Sequence, residues 1–427
     1  MKVFLDTVGC RLNQSEIERM AREFRCAGHT LVGNMADAEL VVVNTCAVTS
    51  QAASDSRQKL RQAGRLSSVA KIVATGCWAT LEPKEAADLI GSPQVVLNQT
   101  KDGLTSIVLG INPEFFEMSA LERELLPGAR HRTRAFIKVQ DGCDAFCTFC
   151  ITRIARGQSR SIPVERVLSD IHSALDGGAL EIVLSGVQLG SWGKDLLQKP
   201  GLKMLAETIL RDTGTPRLRF SSVEPWDIDE DFFDLFSDER VCRHLHISLQ
   251  SGSAATLKRM GRRISPKEFS ILLRYARKAD PQFSITTDVI TGFPGETDDE
   301  FQESLEFIRQ ADFSGGHVFP YSSRPGTAAA SMARQVPPKE RKKRAVEVRK
   351  VLAESSTRFQ QHQLMQTGSV LWESSKALSD GYSLQGWSEK FIRVTASSKE
   401  ELWNVISPIR YTGVICDGMT GEIVQFS

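Results

Sequence analysis

Three cysteines near the middle of the sequence have the spacing C-x3-C-x2-C: Cys143, Cys147 and Cys150. Thiolates bind soft metals, and a structural zinc site takes four ligands, so this triplet is one ligand short. A zinc knuckle is disfavoured because His131 precedes the triplet and the next histidine is His172. Three cysteines instead suit a 4Fe–4S cluster that keeps one iron open. An amino acid can bind such an iron through its amine and carboxylate.

A second trio of cysteines is spread over the N-terminal part of the chain. Cys10 follows FLDTVG, Cys46 follows VVVNT and Cys77 follows IVATG, and each of these segments has the composition of a β-strand. The carboxyl ends of parallel strands lie on one edge of a sheet, so the three thiols are expected to meet there. The trio favours a second iron–sulfur cluster with an open position. Zinc with one bound water is the alternative.

Strands and helices alternate along most of the chain, which predicts an α/β fold that positions both trios. Residues 1–104 predict an open parallel sheet, followed by a connection over 105–134. Residues 135–336 hold six strand–helix repeats, which predict a partial (β/α)6 barrel with its functional groups at the strands' C-terminal ends. Residues 337–363 predict one long basic helix, and 364–427 predict a small β-barrel.

Composition restricts the compartment and the kind of partner. The 427 residues are 41% hydrophobic and 25% charged with a net charge of +1, so a nucleic-acid partner has to use a local basic patch. We find no signal-peptide-like segment and no stretch that could span a bilayer, so we expect a cytoplasmic protein with reduced thiols and no membrane partner. Cys26, Cys242 and Cys416 are expected to be small buried residues or bystanders.

The chain resembles the methylthiotransferases among the radical S-adenosylmethionine enzymes. The triplet after a barrel's first strand, with the aromatic Phe149 just before its third cysteine, is similar to the radical S-adenosylmethionine signature. The upstream trio and the small C-terminal β-domain extend the resemblance over the whole chain. Five blocks match the family in order: VNTCAVTSQAASDSRQ, GCDAFCTFCITRIARGQSRS, HISLQSGSAATLKRMGRR, DVITGFPGETDDEF and FPYSSRPGTAA.

This resemblance implies two 4Fe–4S clusters with different roles. The cluster on the triplet would bind S-adenosylmethionine and, after one-electron reduction, generate a 5′-deoxyadenosyl radical that takes hydrogen from an unactivated C–H. The cluster on Cys10, Cys46 and Cys77 would carry the sulfur, and a second S-adenosylmethionine would supply the methyl group. An electron donor such as flavodoxin or ferredoxin is also implied. The sulfur donor and the oligomeric state do not follow from the sequence.

Further cofactor contacts are expected at the ends of the barrel strands, on the strength of the resemblance. Ser185 and Gly186 end the second strand, where the family's small-residue turn approaches the methionine amine. Glu224 follows the third strand and is expected to bind the ribose or the amine. Gln250 and Ser251 follow the fourth strand. For each of these residues the alternative is an ordinary solvated side chain at a strand end.

Several basic residues are candidates for contacts with RNA. Arg156 and Arg160 follow the triplet and could meet an anionic substrate, with a solvated loop as the alternative. Lys342, Lys343 and Arg344 belong to a basic run, where the alternative is a solvated helix face. The C-terminal domain resembles the TRAM domain, an RNA-binding barrel.

The blocks GCRLNQSEIE and GVQLGSWG resemble the branch that modifies N6-threonylcarbamoyladenosine 37 in the anticodon loop of tRNAs reading ANN codons. Within the family, isopentenyladenosine 37 or an aspartate of ribosomal protein S12 remains the alternative substrate. Outside it, the chain could be a non-catalytic iron–sulfur RNA-binding protein, or a radical enzyme whose first cluster only transfers electrons.

Overall fold

The computed structural model describes residues 1–66, 70–91, 94–117 and 133–424. Two compact units alternate along the chain. The first comprises the described residues up to 145 together with 150–178 and 185–187. The second comprises 146–149, 179–184 and the described residues from 188 onward.

The helices and strands up to residue 178 are β1 (Lys2–Thr7), α1 (Arg11–Cys26), β2 (Thr30–Leu31), β3 (Leu40–Thr45), α2 (Ser50–Leu66), β4 (Lys71–Gly76), α3 (Cys77–Leu81), α4 (Pro83–Ile90), β5 (Val95–Val96), α5 (Leu104–Leu109), α6 (Glu114–Glu117), β6 (Arg134–Lys138), β7 (Gln140–Asp141), α7 (Thr152–Arg156), β8 (Arg160–Ser161) and α8 (Val164–Asp176).

An open parallel sheet forms the core of the first unit, as predicted. Its strand order is β2-β1-β3-β4-β5, and every residue of the central strand β3 is buried. Helix α1 begins at Arg11, directly after Cys10. The edge strand β5 is only two residues long.

The elements from residue 179 onward are β9 (Glu181–Ser185), α9 (Gly201–Asp212), β10 (Arg217–Phe220), β11 (Ser222–Val223), β12 (His244–Ile247), α10 (Ala254–Arg259), α11 (Pro266–Ala279), β13 (Ser284–Thr291), α12 (Asp298–Ala311), β14 (Gly315–Pro320), α13 (Pro338–Gln363), β15 (Thr367–Leu378), β16 (Gly381–Ser388), β17 (Arg393–Ser398), β18 (Ile406–Ile415) and β19 (Gly418–Ile423).

Strand and helix alternation through this region confirms the partial (β/α)6 barrel. Strand β10 pairs in parallel with β9, and β11, β12, β13 and β14 form a parallel four-stranded sheet. The predicted third strand is divided at Ser221 into β10 and β11. Helix α12 begins with a capping box in which Thr297 and Glu300 satisfy each other's backbone N–H groups.

The C-terminal region is a long helix followed by a closed barrel, as predicted. Helix α13 packs against β14, where a Cβ on Gly316 would lie 3.2 Å from Leu352, so β14 turns that face towards the helix. The barrel has the strand order β15-β16-β17-β19-β18 and encloses Val370, Trp372 and Tyr411.

Some expectations concern residues outside the described ranges. The basic end of the predicted connection, Arg130, His131 and Arg132, lies there, as do the last residues of the C-terminal domain. Among the described residues, none of the helices has the length and apolar character required to cross a bilayer.

Candidate functional site

The first unit brings Cys10, Cys46 and Cys77 to one edge of the parallel sheet. Cys10 lies between β1 and α1, Cys46 directly follows β3, and Cys77 opens α3 directly after β4. Cys46 and Cys77 are buried, whereas Cys10 is exposed. Burial, with a smaller contribution from the neighbouring Cys10 and Cys77 thiols, raises the pKa of Cys46 to about 11. Cys10 and Cys77 are thus close enough to Cys46 to contribute to the shift of its pKa.

Glycines directly before Cys10 and Cys77 allow these chain segments to lie close to the end of β3. Gly9 has a φ of +105°, and a Cβ there would lie 2.5 Å from both Cβ and Sγ of Cys46. Gly76 has a φ of +94°, and its Cβ would lie 2.3 Å from the carbonyl oxygen of Thr45. L-residues rarely adopt this backbone conformation, so each position needs glycine for both backbone and space.

With the two clusters that the family resemblance implies, Gly9→Ala is expected to remove about half of the iron, because the added methyl displaces Cys46 from the trio. The measurement is iron per chain after anaerobic reconstitution. Gly28→Ala is the matched control, since Gly28 also has a positive φ, +76°, but a Cβ there meets nothing within 4 Å. Equal iron in the two variants would contradict the prediction.

Arg156, at the end of α7, directs its guanidinium into the same edge of the sheet. Its Nε donates to Cys77 Sγ at 3.3 Å, and its Nη2 donates to Asn13 Oδ1 at 2.8 Å. The same Asn13 oxygen accepts a long hydrogen bond from Cys10 Sγ at 3.8 Å. Asn98 Nδ2 also lies 3.6 Å from Cys77 Sγ. Two N–H donors thus point at one sulfur, an arrangement that suits a metal-bound thiolate.

Two buried carboxylates hold this guanidinium. Arg156 Nη1 lies 2.9 Å from Glu16 Oε1 and 2.8 Å from Asp141 Oδ1. Glu16 also meets the buried ammonium of Lys101 at 2.6 Å. Burial disfavours the Glu16 carboxylate, yet the surrounding cations, with Arg156 the strongest, hold its pKa well below the ordinary value.

Neither alternative given for Arg156, contact with an anionic substrate or a solvated loop, fits this network. Its side chain is only 1% exposed, and its polar hydrogens are used inside the protein. Arg160 keeps 43% of its side chain exposed, at the edge of the same network.

The triplet lies in the loop between β7 and α7. In the first unit, Cys143 Sγ accepts a hydrogen bond from the N–H of Ala145 at 3.3 Å. In the second unit, Thr148 anchors the loop, because its N–H donates to Met260 O at 2.9 Å and its hydroxyl donates to Arg259 O at 2.9 Å. Cys143, Cys147 and Cys150 are all partly buried.

Cys147 has a buried arginine of its own. Arg262 Nη1 approaches Cys147 Sγ at 3.7 Å, while its Nη2 lies 2.6 Å from Glu224 Oε2. The guanidinium stacks over the ring of Trp226 with a distance of 4.4 Å to the centroid. Glu224, predicted as a cofactor contact, is therefore linked through Arg262 to a cysteine of the triplet.

The other predicted cofactor contacts differ in their surroundings. Phe149 packs edge-on against Phe293 at 6.3 Å between ring centroids. Gln250 has a φ of +70°, a strained conformation of the kind that clusters at functional sites. Ser251 is fully buried, and its hydroxyl accepts from the N–H of Ser253 at 3.2 Å. Ser185, in the first unit, is buried and its carbonyl accepts from Val139 N–H at 2.9 Å; Gly186 follows it.

The basic run on α13 divides into exposed and buried members. Lys342 and Lys343 are exposed. Arg344 is buried, with its Nη1 2.7 Å from Glu296 Oε2 and its Nη2 2.6 Å from Asp298 Oδ1. The expectation that Arg344 contacts RNA is therefore corrected, since its guanidinium is paired within the protein.

A polar face lies on β12, β13 and β14, on the side opposite α13. His246 Nε2 lies 3.4 Å from Asp288 Oδ2, and the His246 and His317 rings are 6.3 Å apart. Asp288 pairs in register with His317, which is exposed. Asp288 Oδ1 is buried and has no hydrogen-bond partner among the described residues. An unsatisfied acceptor of this kind is suited to a donor on a ligand.

Sequence reasoning missed Asn13, Glu16 and Arg262, although signals were present. Asn13 and Glu16 belong to the block GCRLNQSEIE, and Arg262 belongs to HISLQSGSAATLKRMGRR. A polar residue at i+3 and a carboxylate at i+6 after a metal-binding cysteine could have been taken as its neighbours. Nothing in the sequence indicates that an arginine far along the chain would meet them.

The donor set of the N-terminal trio has the chemistry of an iron–sulfur ligand set. The N-terminal trio offers only thiols, with buried N–H donors on Cys77 and a cation beside them. Soft thiolates supported by N–H donors are typical of iron–sulfur ligation.

Comparisons with known families match both regions that carry cysteine trios. Residues 137–308 match the Radical SAM superfamily, and residues 2–98 match the uncharacterized protein family UPF0004.

Relatives extend the similarity along the chain. A threonylcarbamoyladenosine tRNA methylthiotransferase MtaB of Thermotoga maritima is 36% identical over 90% of this chain and 88% of its own. A tRNA-2-methylthio-N(6)-dimethylallyladenosine synthase of Paracoccus denitrificans is 33% identical, covering 77% of this chain and 76% of its own. Among solved structures, the radical S-adenosylmethionine methyltransferase TsrM from Kitasatospora setae has a TM-score of 0.58 at 16% identity over 77% of each chain, a likeness of fold.

Proposed function

Because the chain belongs to the methylthiotransferase family of radical S-adenosylmethionine enzymes, we propose that it methylthiolates C2 of N6-threonylcarbamoyladenosine at position 37 of tRNAs reading ANN codons. The observation that carries the reaction class is the presence of two cysteine trios, each with a buried arginine on one sulfur. The threonylcarbamoyl substrate is supported by the Thermotoga relative and by the polar face around Asp288.

Each trio has its own task in this proposal. Cys143, Cys147 and Cys150 hold one 4Fe–4S cluster with S-adenosylmethionine, and the N-terminal trio holds a second. When bound, these groups supply hydrogen abstraction from an unactivated C–H and the sulfur that replaces the hydrogen. A flavodoxin or ferredoxin delivers the electrons.

The protein's own residues bind and orient the reactants. Arg262 fixes the Glu224 carboxylate beside Cys147, so that it meets the cofactor in one orientation. Ser185 and Gly186 of the first unit, and Phe149, Gln250 and Ser251 of the second, remain the proposed cofactor contacts, some of them through their backbone conformation rather than through a side chain. Such preorganisation lowers the entropic cost of aligning cofactor and substrate.

The polar face distinguishes between the possible adenosine substituents. A threonylcarbamoyl group has urea N–H groups and a hydroxyl that can donate to Asp288 Oδ1, and a carboxylate that can meet His317. An isopentenyl group has no polar atoms and would leave the buried Asp288 acceptor unpaired, which is unfavourable. The face therefore favours the threonylcarbamoyl substrate.

Exposed cations are proposed to guide the tRNA. Lys342 and Lys343 on α13 and the half-exposed Arg160 present positive charge to solvent, where they can approach phosphates, and the closed C-terminal barrel binds RNA. The domains proposed from the sequence are the N-terminal sheet domain (1–104), the connection (105–134), the partial barrel (135–336), the basic helix (337–363) and the C-terminal β-domain (364–427).

Deletion of the gene tests the proposal through mass spectrometry of tRNA nucleosides. We expect loss of the 2-methylthio form of threonylcarbamoyladenosine, with the unmethylthiolated nucleoside accumulating. Loss of the methylthio-isopentenyl form instead would assign the other tRNA substrate. Unchanged tRNA nucleosides would overturn a tRNA substrate altogether.

His317→Leu is expected to lower kcat/KM for threonylcarbamoyladenosine tRNA by about 10- to 100-fold, because a charged hydrogen bond to the substrate is lost. Cleavage of S-adenosylmethionine without substrate is expected to remain, since the proposal assigns His317 to the carboxylate of the substrate and not to the cofactor. His362→Leu, on the exposed surface of α13, is the control. Equal kcat/KM for the two variants would remove His317 from substrate recognition.

A further inference from the structure

The guanidinium of Arg156 is placed in a way that the proposed function does not explain. Its side chain is 1% exposed, and all three nitrogens are engaged, with Nε on Cys77 Sγ at 3.3 Å. An arginine that only joined α7 to the sheet would need its carboxylate partners but not the sulfur. Its contact with a cysteine of the N-terminal trio points to a role towards the group that this trio holds.

The charges around Arg156 form one compact network. The cations are Arg156, Lys101 and Lys138, whose side chains are 1%, 1% and 10% exposed. The carboxylates are Glu16 and Asp141, 3% and 2% exposed, and Asp102, which pairs with Lys138 at 2.9 Å. Arg156 is the cation of this network that also contacts a cysteine sulfur, and a guanidinium favours negative charge on a sulfur that it contacts.

We propose that Arg156 is a positioning residue that raises the reduction potential of the cluster held by Cys10, Cys46 and Cys77, through its charge and its hydrogen bond to Cys77. This inference rests on the proposed function only in requiring that the N-terminal trio binds a cluster. It adds that the potential of this cluster is set from the segment carrying the other trio, since Arg156 follows Cys150 by six residues.

The physical argument has two parts. A hydrogen bond to a ligand sulfur withdraws electron density and favours the reduced cluster, which carries one more negative charge. A fixed positive charge in a buried environment has the same effect and is weakly screened there. Arginine suits this position because it stays protonated even when buried. Its planar guanidinium also contacts the sulfur of Cys77 and the carboxylates of Glu16 and Asp141 at the same time.

The Asn13 amide extends the influence of Arg156 to a second cysteine. Its Oδ1 accepts from Arg156 Nη2 at 2.8 Å and lies 3.8 Å from Cys10 Sγ. Its Nδ2 donates to the carbonyls of Val8 and Thr45, at 2.7 and 3.2 Å, which fixes the direction of the amide. Arg156 therefore contacts Cys77 directly and Cys10 through Asn13.

The test is a redox titration followed by electron paramagnetic resonance, in the full chain with Cys143, Cys147 and Cys150 replaced by alanine. Only the N-terminal cluster then titrates. Arg156→Gln is expected to lower the reduced-to-oxidised ratio at a fixed potential by about tenfold, which is about 59 mV for one electron. Arg156→Lys is expected to retain most of the parental reduction potential, because lysine keeps the positive charge and loses only the planar set of guanidinium donors.

Arg22→Lys and Arg22→Gln are the matched controls. Arg22 lies in the same unit, is 10% exposed and pairs with Asp170 at 2.7 Å. Neither control is expected to shift the potential. A fully iron-loaded Arg156→Gln variant with the parental potential would overturn the inference.

If Arg156→Gln binds no iron, its potential cannot be measured, and iron binding by Arg156→Lys then distinguishes a role of the charge from a role in packing. Iron retained in Arg156→Lys supports the role of the charge, whereas iron lost in both variants shows that Arg156 serves only packing. Absence of iron in the parental triple-alanine protein would refute the second cluster, and with it the proposed function, rather than the role of Arg156 alone.

Discussion

Replacing Cys147 with alanine will abolish the formation of 5′-deoxyadenosine from S-adenosylmethionine while leaving about half of the bound iron in place. The triplet then keeps only two thiolates, too few to hold its cluster, whereas the N-terminal trio is unchanged. We expect activity to fall by at least about 10³-fold, since the uncatalysed C–H cleavage is very slow. The measurements are iron per chain and 5′-deoxyadenosine by chromatography under reducing conditions.

Cys46→Ala is the complementary variant. It is expected to lose the other half of the iron, to continue cleaving S-adenosylmethionine and to yield no methylthiolated tRNA. Cys416→Ala, at an exposed cysteine outside both trios, should resemble the parent. Methylthiolated product from Cys46→Ala with added sulfide would mean that the N-terminal cluster only transfers electrons. Parental protein that makes no 5′-deoxyadenosine would indicate a non-catalytic RNA-binding protein.

The sequence was sufficient to locate both trios because local patterns determine where strands end. Apolar segments such as VVVNT predict buried strands, and parallel strands bring their C-terminal ends to one edge, so Cys46 and Cys77 had to be neighbours. The closed C-terminal barrel was likewise predictable from its short strands and polar turns. These features depend on interactions close in sequence or on general rules of sheet topology.

Buried charges were not predictable in the same way. Arg156 and Arg344 lie in basic segments that suggest a solvated surface, yet each is buried against carboxylates. The partner of Arg156, Glu16, is 140 residues away in sequence. No local pattern records such a pairing, because it depends on how separate elements pack.

Glu181→Gln is expected to destabilise the second unit by about 3–5 kcal/mol, the usual cost of removing one partner from a buried ion pair. Glu181 is fully buried between two arginines, with Oε1 2.8 Å from Arg219 Nε and Oε2 3.1 Å from Arg217 Nη2. Glutamine keeps the shape but removes the buried carboxylate that the two guanidiniums share. The measurement is the shift in the denaturation midpoint, together with hydrogen exchange.

The loss should reach the C-terminal barrel, because Arg219 also holds the turn after β16. Its Nη2 donates to the carbonyl of Ser388 at 3.0 Å, and its guanidinium lies 5.2 Å from the ring centroid of Phe391. The hydrogen exchange of backbone amides should therefore become faster at this turn in Glu181→Gln. Glu230→Gln, which breaks an exposed pair with Lys278, should change neither measurement. If the two variants unfold alike, Glu181 is not what fixes the two arginines, and the turn is held by its own hydrogen bonds and aromatic contacts.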